Sequence, residues 1–446
     1  MSTTQHPDNV GRILMLAGVV CLAGTVGALG APPFNLFAEG AKDLGAIYKQ
    51  VTQTRPAVLD PITHKGTGLV TNEATKVQPG LTLVQGIFPE GTQVRLLSEK
   101  GEILHTWNAD FFKVWPDADE VFPEARVPKS DLNYFIHGMT PLADGSIVLN
   151  FSDLGAAKLD KCSNLVWRTD RPTHHSVTPA EDGKFWIPGH ISAHDTPKEY
   201  LPSALTADDI ERLIGDSFTG FNNTVLLVDA NGQVEREVSV LEAVYKAGLE
   251  AAIYNSLRDV TTDPTHLNDI DVVTEPLAAK IDGVEAGDLL LSLREMSMLL
   301  IIDPVDGHVK WHKQGQWFRQ HDPDITPDGK IEIFNNRSKS ISHKRVNSQI
   351  VSYDPATDET EVLYPIDDAN TVFFTDFMGA HQALDNGNRL IVEAAAGRLF
   401  EITPEGEVVW DYRLPYDDET ASLFSAAMRI PADFFEGDLS CPSPSA

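Results

Sequence analysis

The chain has 446 residues, of which 22% are charged and 42% are hydrophobic, and these proportions are ordinary for a globular protein. They exclude a disordered chain, a collagen-like chain and a protein with many membrane spans. The 65 acidic residues outnumber the 35 basic ones, so the formal net charge is −30 and the electric field of the protein repels phosphate backbones. We therefore expect no nucleic-acid partner.

An uncharged apolar run covers residues 13–34. As a helix it is long enough to cross a bilayer core of about 30 Å. Two interpretations stay open for residues 1–34: an uncleaved signal anchor, or a signal peptide cleaved near residues 28–30, where small residues have suitable spacing. The anchor is favoured because the run is longer than a usual signal-peptide core. We expect the rest of the chain to be exported.

The three cysteines, Cys21, Cys162 and Cys441, lie far apart in the sequence. None has the spacing of a CxxC motif or of a zinc-binding module. The sequence therefore predicts neither a disulfide framework nor a zinc module. We expect a flexible tail over residues 436–446, because this end of the chain is rich in proline and serine.

Residues 35–79 read as a connector of mixed helical character. From about residue 80, short β-like runs alternate with Asp-Gly, Asn-Gly and Glu-Gly turns. These runs form a repeated unit that begins with a histidine, continues to a turn, and then gives strands of which the last ends in tryptophan. The spacing from the histidine to the aspartate of the turn is seven residues in the units that begin at His137, His175 and His321.

Two variant units begin at His266 and His381, and an earlier unit without the leading histidine ends at Trp107, which makes six units. Small sheets of this kind cannot bury their own faces, so they are stable only when stacked. Radial stacking gives an all-β fold, a six-bladed β-propeller over residues 80–435. The shared tryptophan is expected to pack between blades.

Other segments complete the predicted propeller. Residues 205–217 and 240–257 read as amphipathic helices inserted between strands. The segment after Leu414 is expected to supply a strand that pairs with the first blade and closes the ring, which avoids an open sheet edge.

The leading histidines are the candidates for chemistry. Each directly precedes a loop that enters a strand, so five equivalent loops would bring five imidazoles together near the axis. Such a cluster can hold a transition metal, bind an oxyanion, or act as nucleophile and acid/base. Asn268 and Arg294, in the same unit as His266, favour an oxyanion such as sulfate or phosphate. A guanidinium offers two donors to a tetrahedral anion and raises the cost of binding a cation.

Because carboxylates lie close to these residues in the sequence, a metal site remains an alternative hypothesis. Asp322 and Asp324 follow His321, and Asp269 and Asp271 follow Asn268. For three of these four aspartates we expect only a role in loop solvation and turn formation. For Asp322 a role as a metal ligand stays open.

The chain resembles bacterial arylsulfotransferases (arylsulfate sulfotransferases) in the order, spacing and local sequence of five stretches. They are THLN at 265–268, SLRE at 292–295, IIDPVDGHVKW at 301–311, QH at 320–321 and GKIEIFNN at 329–336. The resemblance covers roughly residues 78–435. It implies a six-bladed propeller, exported in bacteria, which moves a sulfuryl group from one phenolic sulfate to another phenol without a nucleotide donor. Together with the predicted anchor, this gives an expected location on the periplasmic side of the bacterial inner membrane.

In that family a central histidine attacks sulfur and forms a sulfohistidine, while other histidines, an asparagine and an arginine bind the sulfuryl oxygens. By motif, His321 resembles the nucleophile. The resemblance implies that His266, Asn268 and Arg294 bind the sulfuryl group, with His175 as a further histidine. We therefore expect His321, His266, Arg294 and His175 to be catalytic. Asn268 is expected to bind substrate, together with His381 and His137 from the repeat. The resemblance implies no metal and no cofactor, and an aryl sulfate and a phenol as small-molecule partners. The apolar run at residues 13–34 predicts the membrane as a further partner through the N-terminal helix. We leave homodimer formation open.

The nucleophile must be unprotonated when it attacks. Arg294 is expected to lower the pKa of His321, whereas the adjacent carboxylate of Asp322 is expected to raise it. Two other functions remain as alternatives. One is a metal-dependent lyase or hydrolase with His175, His266, His321 and His381 as ligands. The other is a non-catalytic, membrane-tethered binding propeller.

Overall fold

The computed structural model describes residues 53–201, 206–214, 220–256, 263–338 and 346–442. The chain divides into two compact units, residues 1–57 and 58–446, and all elements named below lie in the second. The predicted signal anchor or signal peptide at residues 1–34 lies outside the described residues. Among the helices that are described, none combines the length and the apolar character that a membrane span requires.

Six antiparallel sheets confirm the six-bladed propeller. Blade 1 contains β2 (Leu81–Phe88), β3 (Gly91–Leu97), β4 (Ile103–Asn108) and the C-terminal β25 (Leu423–Ile430). Blade 2 contains β5 (Ile136–Pro141), β6 (Ile147–Phe151), β7 (Gly155–Leu159) and β8 (Leu165–Thr169). Blade 3 contains β9 (Thr178–Pro179), β10 (Phe185–Ile191), β11 (Asn222–Val228) and β12 (Val234–Ser239).

The second half of the ring repeats this pattern. Blade 4 contains β13 (Leu267–Val272), β14 (Leu289–Leu293), β15 (Met298–Ile302) and β16 (Val309–Gln314). Blade 5 contains β17 (His321–Ile325), β18 (Ile331–Asn335), β19 (Gln349–Asp354) and β20 (Glu359–Tyr364). Blade 6 contains β21 (Ala380–Ala383), β22 (Arg389–Glu393), β23 (Arg398–Ile402) and β24 (Val408–Arg413), and β1 (Gly68–Asn72) pairs with β24 at its outer edge. Thus β1 comes from the stretch that the sequence presents as a connector.

The middle strands are apolar at almost every position because neighbouring blades cover both faces of each sheet. In β14 (LLLSL) and β15 (MLLII) every residue is buried. Strands covered on both faces read as continuous apolar runs rather than alternating ones. The core is therefore divided among the spaces between successive blades.

The tryptophans that end four of the repeated units contact the following blade, as predicted. The indole of Trp107 in blade 1 donates a hydrogen bond to the carbonyl of Gly145 in blade 2, at 3.0 Å. Trp410 in blade 6 donates to the carbonyl of Glu99 in blade 1, at 3.2 Å. The tryptophans that end blades 2 and 4 pack against an aromatic ring of the following blade.

Helices occupy the connections between strands. They are α1 (Phe111–Val114), α2 (Ala118–Val121), α3 (Ala207–Ile214), α4 (Val240–Lys246), α5 (Glu250–Ser256) and α6 (Glu275–Ala278). Helices α3, α4 and α5 lie within the predicted helical insertions. Ser239 is the N-cap residue of helix α4. Its hydroxyl accepts a hydrogen bond from the backbone N–H of Glu242 at 3.1 Å.

The ring closes through β25, which pairs with β2 and confirms the predicted closing strand. The tail that follows β25 contacts blades 1 and 2: the ring of Phe435 lies 5.9 Å from that of Trp107, and a disulfide joins Cys441 to Cys162. The prediction of no disulfide was wrong for this pair. The two cysteines are 279 residues apart, and only closure of the ring brings them together. Flexibility of residues 436–446 stays a prediction.

We predict that Cys441→Ser lowers the free energy of unfolding by about 2–4 kcal/mol, because the disulfide restricts the unfolded chain across most of its length. Urea denaturation of the oxidised protein measures this. A reducing agent should destabilise the native protein to the level of the variant and leave the variant unchanged. Equal urea midpoints for the oxidised native protein and the variant would contradict the prediction.

Candidate active site on the propeller axis

Irregular strand pairing turns the leading histidines toward the axis. A β-bulge interrupts the pairing of β13 beside His266 and that of β17 at His321. His175 and His266 have positive φ angles of 56° and 48°, a conformation that residues other than glycine seldom adopt. Bulges redirect side chains, and such backbone strain persists only where the surrounding structure enforces it.

Two adjoining cavities lie on the axis. The larger has a volume of about 470 Å³, and the smaller a volume of about 160 Å³. The structure brings all seven predicted site residues to these cavities. His266 and Arg294 line the smaller one, Asn268 and His381 line the larger one, and His137, His175 and His321 line both.

His175 is the centre of the imidazole cluster. Its ring centre lies 4.2 Å from that of His137, 5.0 Å from that of His266 and 6.4 Å from that of His321. Burial, reinforced by neighbouring histidines, holds the pKa of His175 well below its usual value. Burial also lowers the pKa of His137 to about 3. These rings are therefore neutral at physiological pH.

The ring of His266 lies between an acidic side chain and a basic one. Its Nδ1 lies 2.6 Å from Oδ2 of Asp263, and its Nε2 lies 2.6 Å from Nη1 of Arg294. Because a guanidinium only donates, Nε2 of His266 accepts and the ring proton is on Nδ1. Burial acts to raise the pKa of Asp263, but the hydrogen bond from His266 and the neighbouring histidines lower this pKa below its usual value, so Asp263 stays ionised. His266 and Glu295, whose Oε1 lies 3.4 Å from Nη2 of Arg294, together orient the guanidinium.

His321 is fixed in the tautomer that a nucleophile requires. Its Nδ1 lies 2.7 Å from Oδ1 of Asn336, while the amide nitrogen of Asn336 donates to the backbone carbonyls of Thr375 and Met378 at 3.1 and 2.7 Å. These two bonds set the orientation of the amide, so Nδ1 of His321 carries the proton. The lone pair of the ring is therefore on Nε2.

Burial and the charge of Arg294 hold the pKa of His321 well below its usual value, although the hydrogen bond to Asn336 acts in the opposite direction. The predicted effect of Arg294 is confirmed. The rise expected from Asp322 does not outweigh these two effects. The carboxylate of Asp322 turns to the next blade, where it accepts a hydrogen bond from Nδ1 of His381 at 2.8 Å.

Asn268 bridges blades 4 and 5 at the wall of the larger cavity. Its amide nitrogen donates to the carbonyl of Gln320 at 2.7 Å. Among the described residues, Oδ1 of Asn268 and Nε of Arg294 are buried polar atoms without a hydrogen-bond partner. Such atoms are costly to bury, and a ligand in the adjoining cavity is one way to satisfy them.

Four aspartates make one wall of the larger cavity acidic: Asp269, Asp271, Asp322 and Asp324. The expectation that three of them serve only solvation and turns was wrong, because β13 and β17 carry them into the cavity. Burial raises the pKa of Asp271 to about 6. Burial and the charge of Asp322 raise the pKa of Asp269 and of Asp324.

Sequence reasoning missed the residues that hold the candidate site in place: Asp153, His174, His190, Asp263 and Asn336. His174 lies between His175 and His190. Its Nδ1 is 2.7 Å from Nδ1 of His175, its ring stacks on that of His190 at 4.0 Å, and Nε2 of His190 lies 3.0 Å from Asp153. For three of them the sequence held a signal: His174 and Asp263 lie close to His175 and His266, and Asn336 is the last residue of the GKIEIFNN stretch.

Comparisons with known proteins place this fold in a family. The sequence profile of the arylsulfotransferase (ASST) family matches residues 138–414. No curated protein matches the chain significantly.

Similar solved structures include a protein of unknown function from Bacteroides caccae (14% identity, TM-score 0.48, 78% of this chain and 98% of that chain). TolB from Acinetobacter baumannii has 11% identity and a TM-score of 0.40, over 78% of this chain and 66% of that chain. Virginiamycin B lyase from Staphylococcus aureus has 11% identity and a TM-score of 0.34, over 63% and 70%. At these values the similarities say nothing about activity. The family match, however, spans more than half of the sequence and most of the propeller, and the chain belongs to the arylsulfotransferase family.

Proposed function

We propose that this chain transfers a sulfuryl group from an aryl sulfate to a phenol, in two steps, through a sulfohistidine at His321. The main support is the state of His321, a buried neutral imidazole with its proton held by Asn336 and its Nε2 lone pair available. An unprotonated nitrogen is the form that attacks. The shared cavity with Arg294 supplies positive charge beside it.

In the first step, Nε2 of His321 bonds to sulfur while the bond from sulfur to the aryl oxygen breaks. The electron pair of that bond leaves with the phenolate. Negative charge on the sulfuryl oxygens is stabilised by Arg294, a preorganised donor in a buried site. Both ring nitrogens of His266 are occupied, by Asp263 and Arg294, so His266 is assigned as a positioning residue for the guanidinium.

The leaving phenolate carries away the electron pair of the broken bond and takes up a proton from solvent. In the second step the acceptor phenol loses its proton to solvent, its oxygen bonds to sulfur, and the bond between sulfur and Nε2 breaks with its electron pair returning to Nε2. His321 is then neutral again. The buried contact between Nδ1 of His174 and Nδ1 of His175, at 2.7 Å, orients the ring of His175 at the cavity wall.

We also propose that the propeller lies on the periplasmic side of the bacterial inner membrane, held by the N-terminal segment. The support is the uncharged run at residues 13–34, which lies outside the described residues. Proteolysis of sealed spheroplasts tests this proposal, because a periplasmic propeller is degraded without lysis of the membrane.

His321→Ala is expected to lower the rate of nitrophenolate release from p-nitrophenyl sulfate, with phenol as acceptor, by on the order of 10⁴-fold, because no other group replaces the nucleophile. Absorbance of the released nitrophenolate measures the rate. His312→Ala, a change at an exposed histidine in β16, serves as the control and should keep the native rate. Full activity of His321→Ala would remove this residue from the proposed role. No turnover by the native protein on any aryl sulfate would favour a binding propeller.

Arg294→Lys is expected to lower kcat by on the order of 10²-fold, with a smaller change in KM. Lysine keeps the charge but loses the planar donors that match developing charge on the sulfuryl oxygens. The matched control is Arg171→Lys, a partly exposed arginine that pairs with Glu237 on the surface of blade 3. A native kcat for Arg294→Lys would show that the guanidinium does not contact the transferred group.

The pH dependence of kcat/KM should lack the loss of activity near pH 6.5 that an ordinary histidine would give. Because the pKa of His321 is lowered, the ring stays neutral below that pH, and activity falls only when the pH drops through the lowered value. Initial rates between pH 4.5 and 8 in buffers of constant ionic strength test this. A midpoint at or above pH 6.5 on the acid limb would contradict the neutral buried imidazole.

A further inference from the structure

The carboxylates of the larger cavity come from two neighbouring blades. Strand β13 of blade 4 carries Asp269 and Asp271, and β17 of blade 5 carries Asp322 and Asp324. The two strands are joined at this level, because the backbone N–H of Ile325 donates to Oδ2 of Asp271 at 3.1 Å. The four carboxylates therefore form one acidic wall.

This wall carries more negative charge than its surroundings balance. Among the described residues that line the larger cavity there is no lysine and no arginine. Arg389 lies on the next blade, but its charge is matched by Glu332, which it binds through two hydrogen bonds of 2.8 and 2.6 Å. The imidazole of His381 can bring at most one positive charge to four carboxylates. Burial and mutual repulsion raise the pKa of Asp269 and of Asp324, and a cation between them relieves the repulsion.

Asn268 adds an independent hydrogen-bond acceptor beside the wall. This residue is 5% exposed and lines the larger cavity. Its amide nitrogen donates to the carbonyl of Gln320 at 2.7 Å, which fixes the amide and leaves Oδ1 as an acceptor. Within the described part of the chain, Oδ1 has no hydrogen-bond partner. A buried, unpaired oxygen beside carboxylates is complementary to a ligand group that donates hydrogen bonds and carries positive charge.

The opposite side of the larger cavity is mainly apolar. In a ring of six blades, blade 1 faces blade 4 and blade 2 faces blade 5 across the axis. Blades 1 and 2 and the C-terminal tail contribute apolar side chains to the lining: Met139, Pro141, Ala426, Met428 and Phe434. An apolar side and an acidic side together fit an aromatic ring that carries a cationic group.

The charges along the axis fit a substrate with ends of opposite sign. Arg294 lines the smaller cavity, the aspartates line the larger one, and His321 lines both. A strand rises about 3.3 Å per residue, so Asp324 lies within about 10 Å of His321 along β17. A phenol with a short aminoalkyl chain has a comparable length.

We propose that the aryl sulfates and phenols used by this chain carry a positively charged amine, and that Asp269, Asp324 and Asn268 bind this ammonium group in the larger cavity. The inference rests on the proposed sulfuryl transfer and adds the class of the aryl group. The side chain of Asp324 is 42% exposed, so a ligand in the cavity can reach it. An ammonium group has three N–H donors and no acceptor, which matches a wall made of acceptors. Donor and acceptor exchange at one sulfohistidine, so both meet this wall.

The rate test compares three phenols that differ at the end of one short chain: tyramine with an ammonium group, tyrosol with a hydroxyl, and para-hydroxyphenylacetate with a carboxylate. Release of nitrophenolate from p-nitrophenyl sulfate gives kcat/KM for each acceptor. We expect the value for tyramine to exceed that for tyrosol by at least about tenfold, and para-hydroxyphenylacetate to be the poorest acceptor. Asp324→Asn should lower the ratio of tyramine to tyrosol. Asp328→Asn, in the turn after β17 and outside the cavity, should keep the native ratio.

Calorimetric titration of the native protein with the same phenols, without a sulfate donor, measures binding apart from turnover and needs no variant to fold. We expect tyramine to bind more tightly than tyrosol. If it does so while no aryl sulfate is turned over, sulfuryl transfer fails and the amine site stands. A tyramine affinity no greater than that of tyrosol would overturn the amine site, and turnover of tyrosol by the same sample would show that sulfuryl transfer stands without it.

Discussion

The hydrogen bond between Nδ1 of His321 and Oδ1 of Asn336 decides which nitrogen of the candidate nucleophile is free to react. Its direction follows from the two backbone carbonyls that Asn336 contacts through its amide nitrogen, at Thr375 and Met378. The same buried surroundings and the nearby guanidinium of Arg294 keep the ring neutral. A nucleophile beside a fixed cation is the arrangement that transfer of an anionic group requires.

Closure of the ring is what places these groups together. His175, His266 and His321 come from three blades, and each stands at the inner edge of its sheet, where a bulge or a left-handed residue turns it to the axis. The interlocked tryptophans and the pairing of β25 with β2 hold the blades at a fixed spacing. A change in that spacing would separate these three residues, because each belongs to a different blade.

Much of the fold and part of the candidate site were predictable from the sequence repeat. The recurring histidine, turn and tryptophan predicted the number of blades and five histidines that line the two cavities. Asn268 and Arg294 were predicted from their place beside His266 and from the family resemblance, and the closing strand from the segment after Leu414. The supporting residues were not predictable, because Asn336 and Asp263 lie outside the repeated positions and their roles depend on contacts between blades. The orientation of the Asp322 carboxylate was also not predictable. The sequence places it beside His321, but the left-handed backbone at Asp322 turns its carboxylate to His381. The disulfide was missed because its cysteines meet only in the closed ring.

The most direct test of the central claim is to trap the covalent intermediate. The protein is mixed with an aryl sulfate without an acceptor, quenched at alkaline pH where N-sulfated histidine persists, and digested for tandem mass spectrometry. We expect one sulfuryl group on the peptide that contains His321, located on that residue, and its loss when phenol is added before the quench. A sulfuryl group on another residue, or product formation at the native rate with no covalent adduct, would contradict the account.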